Sequence, residues 1–355
     1  MRFTWRRLFF VAGVAAAAVA VAGCQGTTAT GNDVLPAQMA PSNHASLAKR
    51  LPREILYATT LDWNTGTGTV YFYDAYGKNT SALGSLSIKS GFPDGVWTGS
   101  RGDVYVGVVN SVSNGRGYIN VYTPGLGKLL RTYGAGLDGP SGGTFDRAGN
   151  MYVANLCGTA PSIQCFVFAK RHGSDVHRFG DASGGTQTGY VAIYPPGKMQ
   201  PSTYLLAPIN IAVGVAVDHK NNVFAVNNTG GIAWNVIEFP AGSTQGRVVR
   251  FRGLPKSRWV GADTFDPKGE LVTSVNSAID FFPHESGKPG HQLTNGVVAA
   301  DGLAYGPDGA LFAGNYEFES NEGNIVAFPP GATAPARTYA VPYGNGVVSV
   351  AVGRR

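Results

Sequence analysis

One short segment occurs four times in the chain, and this repeat limits the fold more than any other feature of the sequence. It runs from Asp146 to Asn155, and close copies occur at Asp218–Asn228, Asp266–Asn276 and Gly306–Asn315. Each copy begins at Asp or Gly, turns at Gly or Asn, and continues in β-branched and aromatic residues, a pattern that predicts a β-hairpin. Because a single hairpin cannot bury its own apolar face, the repeats are expected to pack together as one body.

The hairpin belongs to a longer unit of four strands. Each third strand ends in a proline-containing turn, for example at Phe328–Gly331, and the fourth strand is more polar, as an outer edge should be. The predicted first strands are Gly95–Gly99, Gly142–Asp146, Gly214–Asp218, Ala262–Asp266 and Gly302–Gly306. The predicted second strands are Asp103–Val108, Asn150–Ala154, Asn222–Val226, Glu270–Ser274 and Ala310–Ala313.

The two ends of this region each hold part of a sixth unit. Glu54–Thr59, Thr69–Asp74 and Ser81–Ser87 supply second, third and fourth strands, and Val347–Val352 supplies a first strand. Joined, they close a ring and remove the open edges of a linear array. We therefore predict an all-β, six-bladed β-propeller of four-stranded antiparallel blades over residues 54–355, with an insertion at about residues 156–189.

The N-terminal residues 1–23 have the layout of a secretory signal peptide, with a basic start and an apolar run from Leu8 to Val21. Val21–Cys24 resembles the lipobox of bacterial lipoproteins. This resemblance implies that Cys24 becomes the first residue after cleavage and carries acyl chains such as palmitate, which anchor a protein without a transmembrane helix. Ordinary secretion is the alternative.

Residues 24–53 are rich in Thr, Ala, Asn, Pro and Ser without a period and are expected to form a flexible tether. The lipobox resemblance also implies a location: in Gram-negative lipoproteins Asp after the acylated cysteine favours inner-membrane retention, and here Gln25 stands at that place. We therefore expect the outer membrane or the cell surface. Three of the 28 basic residues lie in the signal peptide, which leaves 25 against 22 acidic ones. This near balance, without basic clusters, argues against a nucleic-acid partner.

The pattern of residues 142–154, Gly-x-x-x-Asp followed by Gly-Asn-x-Tyr-Val-Ala, resembles NHL-type and related six-bladed propellers, including the gluconolactonase-like group. Such propellers act as binding modules, hydrolases or lyases. The gluconolactonase-like group uses acidic and Asn side chains around a central divalent metal, and its acidic positions do not match this chain residue by residue. We expect a module that binds a small molecule, glycan or protein. A metal-dependent hydrolase or lyase, with a divalent cation such as calcium, is the alternative.

The start of each first strand and the end of each second strand should lie on one face of the ring, here called the upper face. Asp301, Asn345, Asp94 and Ser141 would form a polar arc there on four consecutive blades, and Val213, Trp259 and Val260 an apolar arc. A concave mouth with both kinds of surface suits a ligand. Alternatively, Asp and Asn before Gly simply make turns, as we expect for Asp146 and Asp218 on the opposite face.

The second strands end on asparagines, among them Asn155, Asn227 and Asn315. Asparagine tolerates left-handed backbone geometry and satisfies its own backbone groups, so a structural turn role is favoured. The alternative is a ring facing the ligand, because side-chain amides bind calcium and sugar hydroxyls.

The insertion is expected to project onto the upper face, and it contains Cys157 and Cys165. In an extracytoplasmic protein with Cys24 acylated, these two cysteines are expected to form a disulfide. A zinc site that also uses His172 and His177 is the alternative.

Overall fold

The structure, a computed structural model, describes residues 51–62, 67–88, 91–109, 117–156, 189–206, 208–228, 234–254, 260–283, 287–317, 322–342 and 346–355. These residues form six four-stranded antiparallel sheets arranged as the blades of a propeller, which confirms the predicted fold. Within these ranges the one helical element is a 3₁₀ turn at Pro124–Leu126. No described helix has the length and apolar character needed to cross a bilayer.

The strands are numbered along the chain and grouped by blade. Blade 1 contains β1 (Glu54–Asp62), β2 (Thr67–Asp74), β3 (Gly84–Ile88) and β24 (Gly346–Arg354). Blade 2 contains β4 (Phe92–Thr98), β5 (Val104–Val109), β6 (Tyr118–Tyr122) and β7 (Leu129–Tyr133). Blade 3 contains β8 (Pro140–Phe145), β9 (Met151–Asn155), β10 (Tyr190–Tyr194) and β11 (Thr203–Leu205).

Blades 4 to 6 follow the same order. Blade 4 contains β12 (Ile211–Val217), β13 (Val223–Asn228), β14 (Trp234–Phe239) and β15 (Arg247–Val248). Blade 5 contains β16 (Val260–Phe265), β17 (Leu271–Val275), β18 (Ala278–Phe282) and β19 (His291–Leu293). Blade 6 contains β20 (Ala300–Tyr305), β21 (Leu311–Glu317), β22 (Glu322–Phe328) and β23 (Arg337–Ala340).

The C-terminal strand closes the ring, as predicted. β24 pairs antiparallel with β1, from Glu54 opposite Arg354 to Leu61 opposite Gly346. The inner strands β4, β8, β12, β16, β20 and β24 contact one another in that order, and β24 contacts β4. Closure gives blade 1 the same four strands as the other blades, with its innermost strand taken from the C-terminal end of the described chain.

The hydrophobic core lies between neighbouring blades. Tyr57 and Phe72 of blade 1 are buried against Val96 and Val104 of blade 2. On the other side of blade 1, the ring of Tyr73 packs edge to face against Tyr339 of blade 6, with centroids 5.6 Å apart. Removing these apolar surfaces from water is what binds one blade to the next.

The predicted hairpin turns on the lower face are confirmed. The Oδ1 atom of Asp146 accepts the backbone N–H of Asn150 at 2.9 Å, and Asp218 Oδ1 accepts that of Asn222 at 2.7 Å. Gly149 and Asn221 take positive φ values of 84° and 66° in these turns, the conformation that favours Gly and Asn.

The inner strands differ from the prediction in that each begins earlier and contains a one-residue β-bulge. The bulge residue lies between Pro93 and Gly95 in β4, and at the equivalent position of the other five strands. A bulge bends its strand and redirects the side chain of the extra residue. The bulge positions are Asp94, Ser141, Val213, Gly261, Asp301 and Val348.

Glycines directly after the bulges let adjacent inner strands approach closely. A Cβ atom on Gly302 would lie 2.6 Å from the backbone N of Val350 and 2.7 Å from Cα of Ser349. At Gly142 there is more room, because the nearest atom would be the carbonyl oxygen of Val213 at 3.4 Å. The inner strands therefore pack backbone to backbone at some positions and leave space at others.

We expect Gly302→Ala to destabilise the ring by about 1–3 kcal/mol, because the added methyl group overpacks against rigid backbone. Gly142→Ala is the matched control and should change the free energy of unfolding by less than about 1 kcal/mol in either direction. Urea denaturation followed by circular dichroism measures both variants. Equal free energies of unfolding for the two variants would contradict the close approach of β20 and β24.

Candidate functional site

A channel runs along the axis of the ring and holds a cavity of about 290 Å³. All six bulge residues line it, together with other residues of the inner strands. A bulge redirects the side chain of the extra residue, so five of the six bulge positions place a side chain in the lining and the sixth is Gly261. This ring of bulge residues is the candidate site.

An apolar collar lies at the upper end of the channel, where the inner strands begin. Its buried members come from the starts of inner strands, the ends of second strands and the residue after β9: Leu61, Phe92, Val109, Leu156 and Ile211. Val213 and Val348 pack against this cluster. Of these residues, Leu61, Phe92, Leu156 and Ile211 line the cavity, so part of the described lining at this end is apolar.

Asp94 and Asp301 are the two carboxyl groups in the bulge ring. Both are half-buried, and their accessible surface faces the cavity they line. The backbone of Asp94 is fixed, because Thr59 Oγ1 donates to its carbonyl oxygen at 3.1 Å. No hydrogen bond or ion pair joins either carboxylate to a residue within the described ranges.

Burial controls the ionisation of these two groups. Removal from water raises the pKa of Asp94 to about 7. Burial, and secondarily the charge of Asp94, raises the pKa of Asp301 well above its usual range. The negative charge of Asp94 therefore opposes ionisation of Asp301.

Ser141 lines the cavity but has its hydroxyl proton in use. Its Oγ donates to the carbonyl oxygen of Ala212 at 2.9 Å and lies 3.3 Å from that of Ala154. The first of these contacts ties blade 3 to blade 4. Ser141 therefore contributes to the packing of blade 3 against blade 4.

The polar arc expected from the sequence is interrupted in the structure. Val348 is the bulge residue of blade 1 and lies between Asp301 and Asp94 in the ring. Asn345, which we had aligned with this position, and Trp259 both lie outside the described residues. The expected position was three residues before the one that the pairing of β24 with β1 gives.

Asn155, Asn227 and Asn315 are all buried and bind the loops that lead into the inner strands. Asn155 Oδ1 accepts the N–H of Gly139 at 2.9 Å, and Asn227 Oδ1 accepts that of Asn210 at 2.7 Å. Asn315 Nδ2 donates to the carbonyl oxygen of Gly296 at 2.8 Å. These hydrogen bonds give the three side chains a role in holding the loops before the inner strands, which differs from the left-handed turn role considered from the sequence.

Asp263 is a cavity residue that the sequence analysis missed. It is 8% exposed, and neither carboxylate oxygen has a hydrogen-bond partner within the described part of the chain. Burial raises its pKa to about 8. The strands of the other blades carry apolar residues or Gly at this place, namely Val96, Gly143, Val215, Leu303 and Val350. An alignment of the six first strands would have shown that Asp263 is the one charged residue at this place.

The described residues do not fit a calcium or zinc site. No group of three or more His, Cys, Asp or Glu side chains within the described ranges is arranged to hold a metal ion. Calcium takes six to eight oxygen ligands, which the paired carboxyls of Asp94 and Asp301 do not supply. Cys24, the cysteines Cys157 and Cys165, and the histidines of the insertion all lie outside these ranges.

Comparison with known proteins places the chain by its fold. No protein-family model and no curated protein matches the sequence. A chain of the nidogen/laminin complex aligns with a TM-score of 0.55 and 12% identity, over 84% of this chain and 98% of that one. A protein of unknown function from Bacteroides caccae aligns with a TM-score of 0.57 and 11% identity, over 85% and 100%.

A putative gluconolactonase aligns less closely, with a TM-score of 0.48 and 12% identity over 73% of this chain and 84% of that one. At identities this low, structural likeness says nothing about a shared ligand or activity. What the comparisons and the sheet topology show together is a six-bladed β-propeller.

Proposed function

We propose that this protein is a ligand-binding propeller, anchored to a membrane outside the cytoplasm, that takes a small ligand or one side chain of a partner protein into its central channel. The observation that carries the proposal is the cavity itself, with Asp94 and Asp301 beneath an apolar collar. Its volume of about 290 Å³ lies at the small end of ligand pockets. This size favours a small molecule or a single side chain over an extended glycan.

The energetics of the channel support binding. A carboxyl group removed from water without a hydrogen-bond partner costs stability, and most buried polar groups in folded proteins are therefore satisfied. Asp94 and Asp301 have no such partner in the described part of the chain, although apolar residues would fit the same ring, as Val213 and Val348 show. A ligand that supplies the missing donors explains why carboxyl groups stand there.

A hydrolase or lyase is the second candidate, and one observation favours it. Burial brings the pKa of Asp94 to about 7, which suits a general acid or base near neutral pH. The metal-dependent form of this activity finds no set of metal ligands among the described side chains. The binding function therefore has the stronger support.

A fragment screen with mixed chemistry tests the binding proposal. Cationic, neutral and anionic fragments are mixed with the protein, and binding is detected by ligand-observed NMR. We expect some fragments to bind the wild type. Their binding should be lost in the double variant Asp94→Asn and Asp301→Asn, because both carboxyls line the cavity. Asp146→Asn, a change in a lower-face turn, is the control and should retain all hits.

Two outcomes would contradict channel binding. One is an absence of hits in every chemical class, and the other is hits that survive the double variant but disappear in Asp146→Asn. Thermal melting of each variant confirms that it is folded. Addition of a chelator during the screen distinguishes the binding function from a metal-dependent hydrolase or lyase. A metal-dependent site would lose its fragment binding when the metal is removed.

Anchoring is a separate part of the proposal and rests on the resemblance of Val21–Cys24 to a lipobox. Acyl chains on Cys24 would hold the propeller at the outer membrane or cell surface, with residues 25–53 as a tether. We expect Cys24→Ser to move the protein from the membrane fraction to the soluble fraction and to lower its mass by the acyl groups. Unchanged fractionation and an unmodified wild-type mass would refute the anchor.

A further inference from the structure

We infer that the channel binds an organic cation, namely a primary ammonium group on a short apolar chain, with the ammonium between Asp94 and Asp301 and the chain against the collar. This inference rests on the proposed function, because it names the ligand class of the same channel. The ammonium can belong to a free amine or to a lysine side chain of a partner, which present the same chemistry to the channel.

The first observation is the position of the two carboxyls. Asp94 and Asp301 occupy bulge positions on either side of Val348 and line the same cavity. Neither has a cationic or hydrogen-bonding partner within the described ranges. Like charges in a buried space raise the free energy of the ionised pair, and a cation between them removes that repulsion.

The second observation does not depend on Asp94 or Asp301. It concerns Asp263 in blade 5, the blade next to that of Asp301. More than nine tenths of this residue is buried, it lines the cavity wall, and both its oxygens lack a partner among the described residues. A Cβ atom built on Gly214 would lie 3.1 Å from Asp263 Oδ1, so the glycine leaves room for the carboxylate. An apolar side chain would pack there as it does in blades 2, 4 and 6, at Val96, Val215 and Leu303. When it ionises, above about pH 8, this side chain adds negative potential to the channel, whereas an apolar side chain would serve the fold as well.

The chemistry of the lining selects an ammonium ion over other ligands. An ammonium group carries one charge and three hydrogen-bond donors, so two carboxylates and one further acceptor satisfy it. A calcium ion requires six to eight oxygen ligands, and an anion would be repelled by all three carboxyls. The collar residues Leu61, Phe92 and Ile211 cannot replace the hydration that the ammonium group loses, but they can bury an alkyl chain. A cavity of about 290 Å³ suits a chain of a few carbons.

Binding of a cation must be linked to proton release. Burial keeps Asp94 and Asp301 protonated at acidic pH, and an ammonium ion binds well only after a carboxyl has lost its proton. The alkylammonium itself stays charged up to about pH 10. Affinity should therefore rise with pH through the neutral range, by about tenfold for each pH unit over which one proton is displaced.

Isothermal titration calorimetry of the full chain with n-pentylamine tests the inference. We expect binding at pH 8.5 that weakens at least tenfold at pH 6, with protons released to the buffer. The isosteric 1-pentanol and pentanoate should bind at least tenfold more weakly than the amine at pH 8.5. Asp94→Asn and Asp301→Asn, singly and together, should each weaken the amine at least tenfold and reduce the pH dependence.

Asp280→Asn is the matched control. Asp280 is also buried, and its Oδ2 also lacks a partner within the described ranges, but it does not line the cavity. This variant should bind the amine as the wild type does. If it weakens the amine as much as Asp94→Asn, or if pentanol or pentanoate binds as well as pentylamine, the inference is overturned.

Failure of the inference is distinguishable from failure of the proposed function. Neutral or anionic fragments that bind the channel, with no binding of pentylamine, would leave a ligand-binding channel of different specificity. Calcium that binds in place of the amine and is lost in Asp94→Asn would overturn the inference in favour of a metal site. If no fragment, amine or metal binds, both the inference and the proposed function fail.

Discussion

The one-residue bulge in each inner strand is the constraint on which the site depends. Regular pairing would alternate side chains between the two faces of each blade, and the bulge turns one side chain per strand into the channel instead. The same irregularity brings Gly302 within close reach of the backbone of β24. Pairing of β24 with β1 closes the ring, so the six bulge residues meet around one axis rather than along a curved sheet.

The sequence predicts the fold well because hairpin turns depend on local chemistry. Asp146 and Asn221 reveal their turns through side-chain hydrogen bonding and tolerance of positive φ, and β24 was found because blade 1 lacked a first strand. The bulges leave no such mark. We had therefore placed Asp94 and Asp301 before their strands instead of within them, and had aligned Asn345 with the position that Val348 occupies.

The lining of the channel was predicted only in part, for a physical reason. Whether a polar residue faces a ligand or satisfies the backbone depends on its neighbours in space, and Asn155 and Ser141 prove to bind backbone groups of adjoining segments. Asp263 shows the opposite case, a carboxyl at a place where other blades pack apolar groups. Its folded-state pKa of about 8 lies above the unfolded value. The contribution of Asp263 to the free energy of unfolding is therefore fully present below the unfolded pKa of about 4 and is lost as the pH rises from there through about 8.

Burial in the channel raises the pKa of its carboxyl groups far above the ordinary aspartate range. A ¹³C NMR titration of the aspartate carboxyl groups measures this shift, with Asp94 and Asp263 assigned through their Asn variants. We expect Asp94 to titrate near pH 7 and Asp263 near pH 8. Titration of both carboxyls within the ordinary aspartate range, at about pH 3 to 5, would contradict it.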